Sequence, residues 1–89
     1  MTAIAPRQDV DVVVIDDELS IREGCRQTLE AEGYRAAIAA DGSQGLKLLE
    51  SVRPRVVVLD LRMKGLSGTD LLNRLPSIDP RIVPIVITG

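Results

Sequence analysis

The feature that most constrains the fold is an apolar run, Val56–Leu59, that ends at the carboxylate of Asp60. Three of its four residues are β-branched, which favours a strand buried on both faces, as in a parallel sheet. The same arrangement occurs earlier, where the run Val12–Ile15 is followed by Asp16 and Asp17. Functional groups gather at the carboxyl ends of strands in open α/β sheets. The two runs therefore predict one acidic pocket.

Strand and helix patterns alternate along the rest of the chain. Strands are predicted at residues 9–15, 34–40, 56–59 and 81–88, with an amphipathic helix in each interval. This alternation implies an α/β fold, a doubly wound parallel sheet with right-handed crossovers and helices on both faces. The second strand alternates only weakly and consists of small residues, so we expect it at an edge of the sheet.

Local signals predict where the helices begin and end. Ser20 to Glu23 matches a capping box for the first helix, and Gly33 stands where a left-handed residue commonly ends one. Ser67 is the predicted cap of the third helix, and Pro76 is predicted to end it. Cys25 belongs to an apolar stripe of the first helix. We therefore expect it to be a small buried core residue and not a reactive thiol.

Composition excludes several classes of function. The 89 residues suffice for one domain, and a net charge of −2 leaves no basic footprint for direct nucleic-acid binding by this segment. The chain has no histidine, so histidine catalysis and histidine metal sites are excluded within it. The apolar runs are too short to span a membrane. Residues 1–8 lack a long apolar region and are predicted to be a flexible lead-in, with the cytoplasm as the expected location.

Three carboxylates crowded at one sheet edge repel each other and favour a bound cation. Oxygen ligands of this kind suit Mg²⁺, and a carboxylate beside Mg²⁺ can become an aspartyl phosphate. Thr88, at the end of the fourth strand, can direct a hydroxyl to the same pocket. Each motif alone also fits a solvated turn. Their joint position at the ends of three strands favours a site.

The chain resembles the receiver domain of two-component response regulators, which has a flavodoxin-like (CheY-like) fold. The resemblance covers residues 9–89, and several spaced motifs carry it in order: Val13–Glu18, Ile21-Arg22, Ala40–Gly42, Val57–Met63, Leu66–Gly68 and Val83–Gly89.

The resemblance implies a role for each matching site residue. Asp60 would accept the phosphoryl group and Asp17 would bind Mg²⁺ directly. Asp16 would act through the metal or its water, the backbone carbonyl of Arg62 would complete the metal ligands, and Thr88 would be the switch hydroxyl. The implied donor is a phosphohistidine on a sensor histidine kinase or histidine phosphotransfer protein. Receiver domains catalyse their own phosphorylation and dephosphorylation, and they often regulate an attached output such as transcription.

The sequence departs from the family pattern at three points. Arg55 replaces a commonly acidic residue before the central strand. Lys64 replaces the usual proline after Met63, which should leave that loop less rigid. The match also stops after the fourth of five strands, so residues 9–89 are expected to be a partial receiver with strand order 2-1-3-4. The lysine that contacts the phosphoryl group and the aromatic switch residue are then absent. The fourth strand should be an exposed apolar edge that favours a homodimer.

Two other functions remain open at this stage. A truncated, switch-defective receiver could act only as a binding or dimerisation module. A Mg²⁺-dependent phosphatase of the haloacid dehalogenase type also uses an aspartate after a buried strand. That family has a second aspartate two residues later, whereas this chain has Arg62 there.

Overall fold

Strands and helices alternate along residues 10–87, the part of the chain that this computed structural model describes. The strands are β1 (Val12–Ile15), β2 (Ala36–Ala39), β3 (Val56–Asp60) and β4 (Val83–Ile87). The helices are α1 (Leu19–Ala31), α2 (Gly42–Val52) and α3 (Gly68–Ile78). All strand pairs are parallel, and the sheet order is β2-β1-β3-β4. The predicted α/β fold, the 2-1-3-4 order and the edge position of β2 are confirmed.

The register of the strands assigns their side chains to two faces of the sheet. Ile15 pairs with Leu59, and both belong to the main core with residues of α2 and α3. Val14 pairs with Val58, and Val58 pairs with Ile85. Because successive side chains of a strand point to opposite faces, these three residues lie on the other face, where α1 packs.

The main core is aliphatic and lies between the sheet and the helices α2 and α3. Burying one such side chain stabilises the fold by roughly 1.5–3 kcal/mol, so this face contributes most of the apolar stabilisation. Its buried members are Val13, Ile15, Ala39, Leu49, Val52, Val57, Leu59, Met63, Leu71, Leu75 and Ile82.

The first helix begins before the predicted cap, so the prediction for Ser20 was wrong. The N-cap is Glu18, whose carbonyl accepts a hydrogen bond from the amide of Arg22 (3.0 Å) and whose side chain makes no capping bond. The amide of Glu18 is satisfied by the carboxylate of Asp16 (2.9 Å). The side chain of Asp16, which precedes the helix, therefore bonds at this end in place of the predicted capping box of Ser20. Ser20 itself lies within the first turn.

The end of α1 follows the prediction for Gly33, which has φ +91°. Its amide donates to the carbonyl of Glu30, and the amide of Tyr34 donates to the carbonyl of Leu29, both at 3.0 Å. This pair of bonds is a Schellman motif. The amide of Tyr34 therefore belongs to the end of α1, and β2 begins at Ala36.

The third helix confirms its predicted start but not its predicted end. Ser67 and Asp70 form a reciprocal capping box. Pro76 lies inside the helix, which continues to Ile78, so the prediction that it ends the helix was wrong. Proline already has a helical φ, and near the last turn it removes a single hydrogen bond. The next amide past the helix, that of Asp79, still bonds the carbonyl of Leu75 (2.9 Å).

The face of the sheet next to α1 is only partly covered within residues 10–87, where Val14 is fully buried but Ile85 is 49% exposed. No residue of α1 is buried, and Cys25 is half-buried beside a cavity of about 440 Å³ between α1 and Val58. The prediction that Cys25 is a buried core residue was wrong, because the described part of the chain covers its stripe only partly. In β4, Val83 and Ile85 are 56% and 49% exposed, which confirms the predicted apolar edge. None of the helices in residues 10–87 has the length and apolarity to cross a membrane.

Candidate functional site

Three aspartates meet at the carboxyl edge of the sheet. Asp16 follows β1 directly, Asp17 comes next in the chain, and Asp60 is the last residue of β3. Each offers a carboxylate oxygen, and these oxygens lie within 4.8 Å of one another. The three differ in burial: Asp16 is buried, Asp60 is half-buried and Asp17 is exposed. The acidic pocket expected from the sequence therefore forms, and it opens to solvent on the side of Asp17.

Asp16 makes hydrogen bonds through its amide, its carboxylate and its carbonyl. Its amide donates to the carbonyl of Ala39 in β2 (3.2 Å), so the residue continues the sheet. Its Oδ1 accepts the amide of Glu18 (2.9 Å), and its carbonyl accepts Nη1 of Arg22 (2.9 Å). These bonds orient the carboxylate before any ligand binds. Little side-chain entropy is then lost when it is used.

Asp60 is held at one carboxylate oxygen only. Its Oδ1 accepts the amide of Arg62 (2.9 Å), while within residues 10–87 its Oδ2 has no hydrogen-bond partner. On the backbone side, Gly68 at the start of α3 packs directly against the Asp60 carbonyl. A β-carbon at Gly68 would also lie 2.6 Å from the Cα of Leu61, so only glycine allows this approach. Asp60 is thus fixed in position with one oxygen available.

Burial is the main reason that the pKa of Asp16 is raised above its ordinary value. The amide of Glu18 opposes this shift, while the charges of Asp60 and Asp17 add to it and Arg22 reduces it. The carboxylates therefore repel one another, as the sequence predicted. A cation between them would remove that repulsion.

The donor set fits Mg²⁺. It consists of carboxylate oxygens close enough to share one ion, and Mg²⁺ prefers oxygen ligands, few of them from the protein, and keeps waters in the remaining positions. The exposed side at Asp17 leaves room for those waters. The raised pKa of buried Asp16 means that its charged form is disfavoured in the pocket. A divalent cation would stabilise that charge.

The other predicted site residues have different outcomes. The backbone of Arg62 lies beside Asp60 through their hydrogen bond, with its side chain exposed. Thr88 lies outside the described residues, so its role stays a prediction. The loop after Asp60 is anchored by Met63, which is buried in the main core, while Lys64 is exposed.

Two residues with a part in the site were not predicted to have one. Arg22 binds the Asp16 carbonyl across the start of α1, and Gly68 supports the Asp60 backbone. Both belong to motifs noticed in the sequence, but only as matches to a pattern. Their contacts join residues six and eight positions apart through the ends of different elements, which no local periodicity reveals.

Comparison with known proteins agrees with this geometry. A family model described as the response regulator receiver domain matches residues 12–89. Among curated proteins, the chain is 37% identical over 85 residues to the probable transcriptional regulatory protein TcrX of Mycobacterium tuberculosis. It is 34% identical over 78 residues to sporulation initiation phosphotransferase F of Bacillus subtilis. The matches cover 96% and 88% of this chain, which spans 36% and 63% of those relatives.

A solved structure gives the same result. The response regulator TrrA of Thermotoga maritima, in complex with Mg²⁺ and BeF, superposes with a TM-score of 0.82 and 32% sequence identity. The alignment covers 89% of this chain and 69% of that one.

Proposed function

Because the chain belongs to the response regulator receiver domain family, we propose that it accepts a phosphoryl group on Asp60 in a two-component signalling system. The observation that carries this proposal is the cluster of three carboxylates whose oxygens lie within 4.8 Å of one another. Within that cluster, Asp60 combines a fixed backbone with a carboxylate oxygen that is available for bonding.

In the proposed step, an oxygen of Asp60 forms a bond to the phosphorus of a phosphohistidine. The phosphorus–nitrogen bond breaks, and its electron pair stays on the imidazole nitrogen of the donor. The hydrogen bond from the Arg62 amide to Oδ1 leaves Oδ2 as the attacking oxygen. We assign the attack to Oδ2 because a carboxylate oxygen that accepts no hydrogen bond is the more nucleophilic of the two.

Asp16 and Asp17 would hold Mg²⁺ together with Asp60 and the backbone carbonyl of Arg62. When bound, Mg²⁺ neutralises charge on the oxygens of the phosphoryl group during transfer. Arg22 positions Asp16 through its backbone and does not touch the reacting atoms. Thr88 would supply the switch hydroxyl that moves toward the phosphoryl group.

The wider setting is proposed on the same basis. The donor would be a sensor histidine kinase or a histidine phosphotransfer protein, and the location would be the cytoplasm. Residues 9–89 would form a partial receiver domain after a lead-in of residues 1–8. The similarity to a probable transcriptional regulatory protein supports regulation of an attached output such as transcription.

Intact-mass spectrometry after incubation with acetyl phosphate and Mg²⁺ tests the proposal. One phosphoryl adduct is expected, and it should disappear in Asp60→Asn and when Mg²⁺ is chelated. Glu50→Gln is the matched control, because it removes the same charge from an exposed position on α2. An adduct that survives in Asp60→Asn would contradict the assignment.

A second candidate function, a module for binding and dimerisation only, has its own supporting observation in the exposure of β4. Sedimentation velocity over a range of concentrations tests it. A β4-mediated dimer should dissociate in Ile85→Lys, because a charge on an edge strand opposes strand pairing. Gln27→Lys adds the same charge on exposed α1 and should leave the dimer intact. A monomer that forms the Asp60 adduct would exclude this alternative.

A further inference from the structure

A second polar cavity lies at the amino edge of the sheet, opposite the aspartates. The segments between α2 and β3 and between α3 and β4 border it, and its volume is about 660 Å³. We call it the arginine cavity, because three of its seven lining residues are arginines: Arg53, Pro54, Arg55, Val56, Asp79, Arg81 and Val83.

The backbone holds two of these arginines in place. Arg53 is the C-cap of α2, with its amide bonded to the carbonyl of Leu49 (3.0 Å), and its backbone is left-handed at φ 45° and ψ 68°. Few residues other than glycine and asparagine adopt that conformation. Arg55 donates its amide to Asp11 (3.1 Å) and accepts the amide of Val83 (2.9 Å). The backbone therefore fixes where the exposed side chains of Arg53 and Arg55 begin.

The charges in the cavity do not balance. The buried carboxylate of Asp79 accepts three hydrogen bonds from Arg81, from its amide (3.0 Å), its Nε (3.0 Å) and its Nη2 (3.1 Å). These bonds are the main reason that the pKa of Asp79 is lowered, and Arg53 lowers it further by its charge. Asp79 therefore pairs with Arg81. In residues 10–87 the guanidinium groups of Arg53 and Arg55 have no hydrogen-bonding or ion-pair partner.

We propose that the arginine cavity binds a dianionic phosphate group, either free phosphate or the phosphate of a small monoester. Three guanidinium groups and one carboxylate leave two positive charges in excess, which matches a dianion. A guanidinium fork donates two parallel hydrogen bonds to phosphate oxygens. Arg53 and Arg55 would supply these forks, while Asp79 keeps Arg81 beside them.

This site is separate from the phosphoacceptor site. β3 joins the two edges, with Val56 lining the cavity and Asp60 in the acidic pocket. Four residue steps along a strand correspond to roughly 13 Å. Phosphate binding at one edge can therefore be measured without Mg²⁺ and without phosphorylation at the other, and Asp60→Asn should leave it unchanged.

The test is a titration of the 89-residue chain with inorganic phosphate, followed by amide chemical shifts in nuclear magnetic resonance spectra. It is run at about pH 8, where phosphate is a dianion, with sodium chloride holding the ionic strength constant. Saturable shifts confined to residues 53–56 and 79–83 are expected. A parallel titration with glycerol 3-phosphate distinguishes a monoester from free phosphate, according to which binds more tightly.

Variants identify the groups responsible. Arg55→Gln and Arg53→Asn should each weaken phosphate binding about tenfold or more, the usual effect of losing a charged hydrogen bond. Asparagine at residue 53 keeps a residue type that tolerates the left-handed backbone. Lys47→Gln removes one positive charge from an exposed position outside the cavity. It should change the affinity by less than about twofold.

Three outcomes would overturn the proposal. One is a set of shifts that spread over the surface and do not saturate. Another is an equal loss of affinity in Lys47→Gln and Arg55→Gln. The last is tighter binding of hexaglutamate than of either phosphate compound at the same residues, which would assign the cavity to an acidic segment of a partner protein. The spectra also report folding, so loss of binding in an unfolded variant is recognised directly.

Discussion

Replacing Gly68 with alanine is the sharpest test of how the acidic pocket is supported. An alanine β-carbon at this position would press on the carbonyl of Asp60 and lie 2.6 Å from the Cα of Leu61 and 2.9 Å from the carbonyl carbon of Asp60. All of these are backbone atoms, so no side chain can rotate away. Relief requires α3 or the end of β3 to move.

The magnitude follows from two opposing effects. Overpacking of this kind costs about 1–3 kcal/mol, whereas alanine in place of glycine favours a helix by up to about 1 kcal/mol. Gly24, inside α1, provides the matched control, because nothing lies within 4 Å of a β-carbon built there. Gly68→Ala should therefore lower the free energy of unfolding by a net of up to about 3 kcal/mol, and Gly24→Ala should raise it by up to about 1 kcal/mol.

Urea denaturation measures both changes. With slopes of about 1–3 kcal/mol per molar urea for a small domain, a loss of 1 kcal/mol moves the midpoint by about 0.3–1 M. Because the displaced backbone carries Asp60, Gly68→Ala should also slow labelling by acetyl phosphate, while Gly24→Ala should not. If Gly68→Ala were as stabilising as Gly24→Ala, the close approach of α3 to Asp60 would be refuted.

Three further predictions concern a helix cap, pH and the metal. Ser67→Ala should lower the free energy of unfolding by about 1 kcal/mol through loss of the capping box, whereas Ser77→Ala, at an exposed position of the same helix, should not destabilise; thermal melts compare the two. The pKa of Asp79 is lowered in the fold, so its stabilising contribution is present above its unfolded pKa, near 3.9, and is lost as pH falls through the folded value. Urea midpoints of Asp79→Asn should therefore depend less on pH below about pH 4 than those of the parent, and an unchanged acid limb would contradict the assignment. Mg²⁺ at 100 times its dissociation constant should stabilise the chain by about 2.7 kcal/mol. Asp16→Asn should stabilise the metal-free chain, because it removes repulsion between carboxylates, but it should lose most of the stabilisation by Mg²⁺. Calorimetric melts measure both effects.

Much of the fold was predictable because its signals are local. The buried runs before Asp16 and Asp60 identify β1 and β3, and the carboxyl ends of parallel strands meet at one edge, so the acidic pocket followed from the order of elements. The Schellman motif at Gly33 and the capping box of Ser67 are likewise predictable, because each depends on residues close together in the sequence.

The errors arose where a local pattern fits more than one outcome and its surroundings select between them. Ser20 matches a capping box, but the carboxylate of Asp16 already satisfies the amide of Glu18, so the helix starts earlier. Pro76 usually ends a helix, yet so close to the last turn it removes only one hydrogen bond. Cys25 belongs to an apolar stripe, and whether such a stripe is buried depends on what covers it.

The sequence by itself determined the alternation of strands and helices and the edge at which three aspartates meet, since periodicity and chain order suffice for these. The sheet order was implied by the resemblance to receiver domains. Only the tertiary structure decided how the pocket is held and what else the molecule presents. The bond from Arg22 to Asp16, the approach of Gly68 to Asp60 and the arginine cavity each join residues from different elements. Such contacts depend on distances of a few ångströms between packed backbones, which a one-dimensional pattern does not contain.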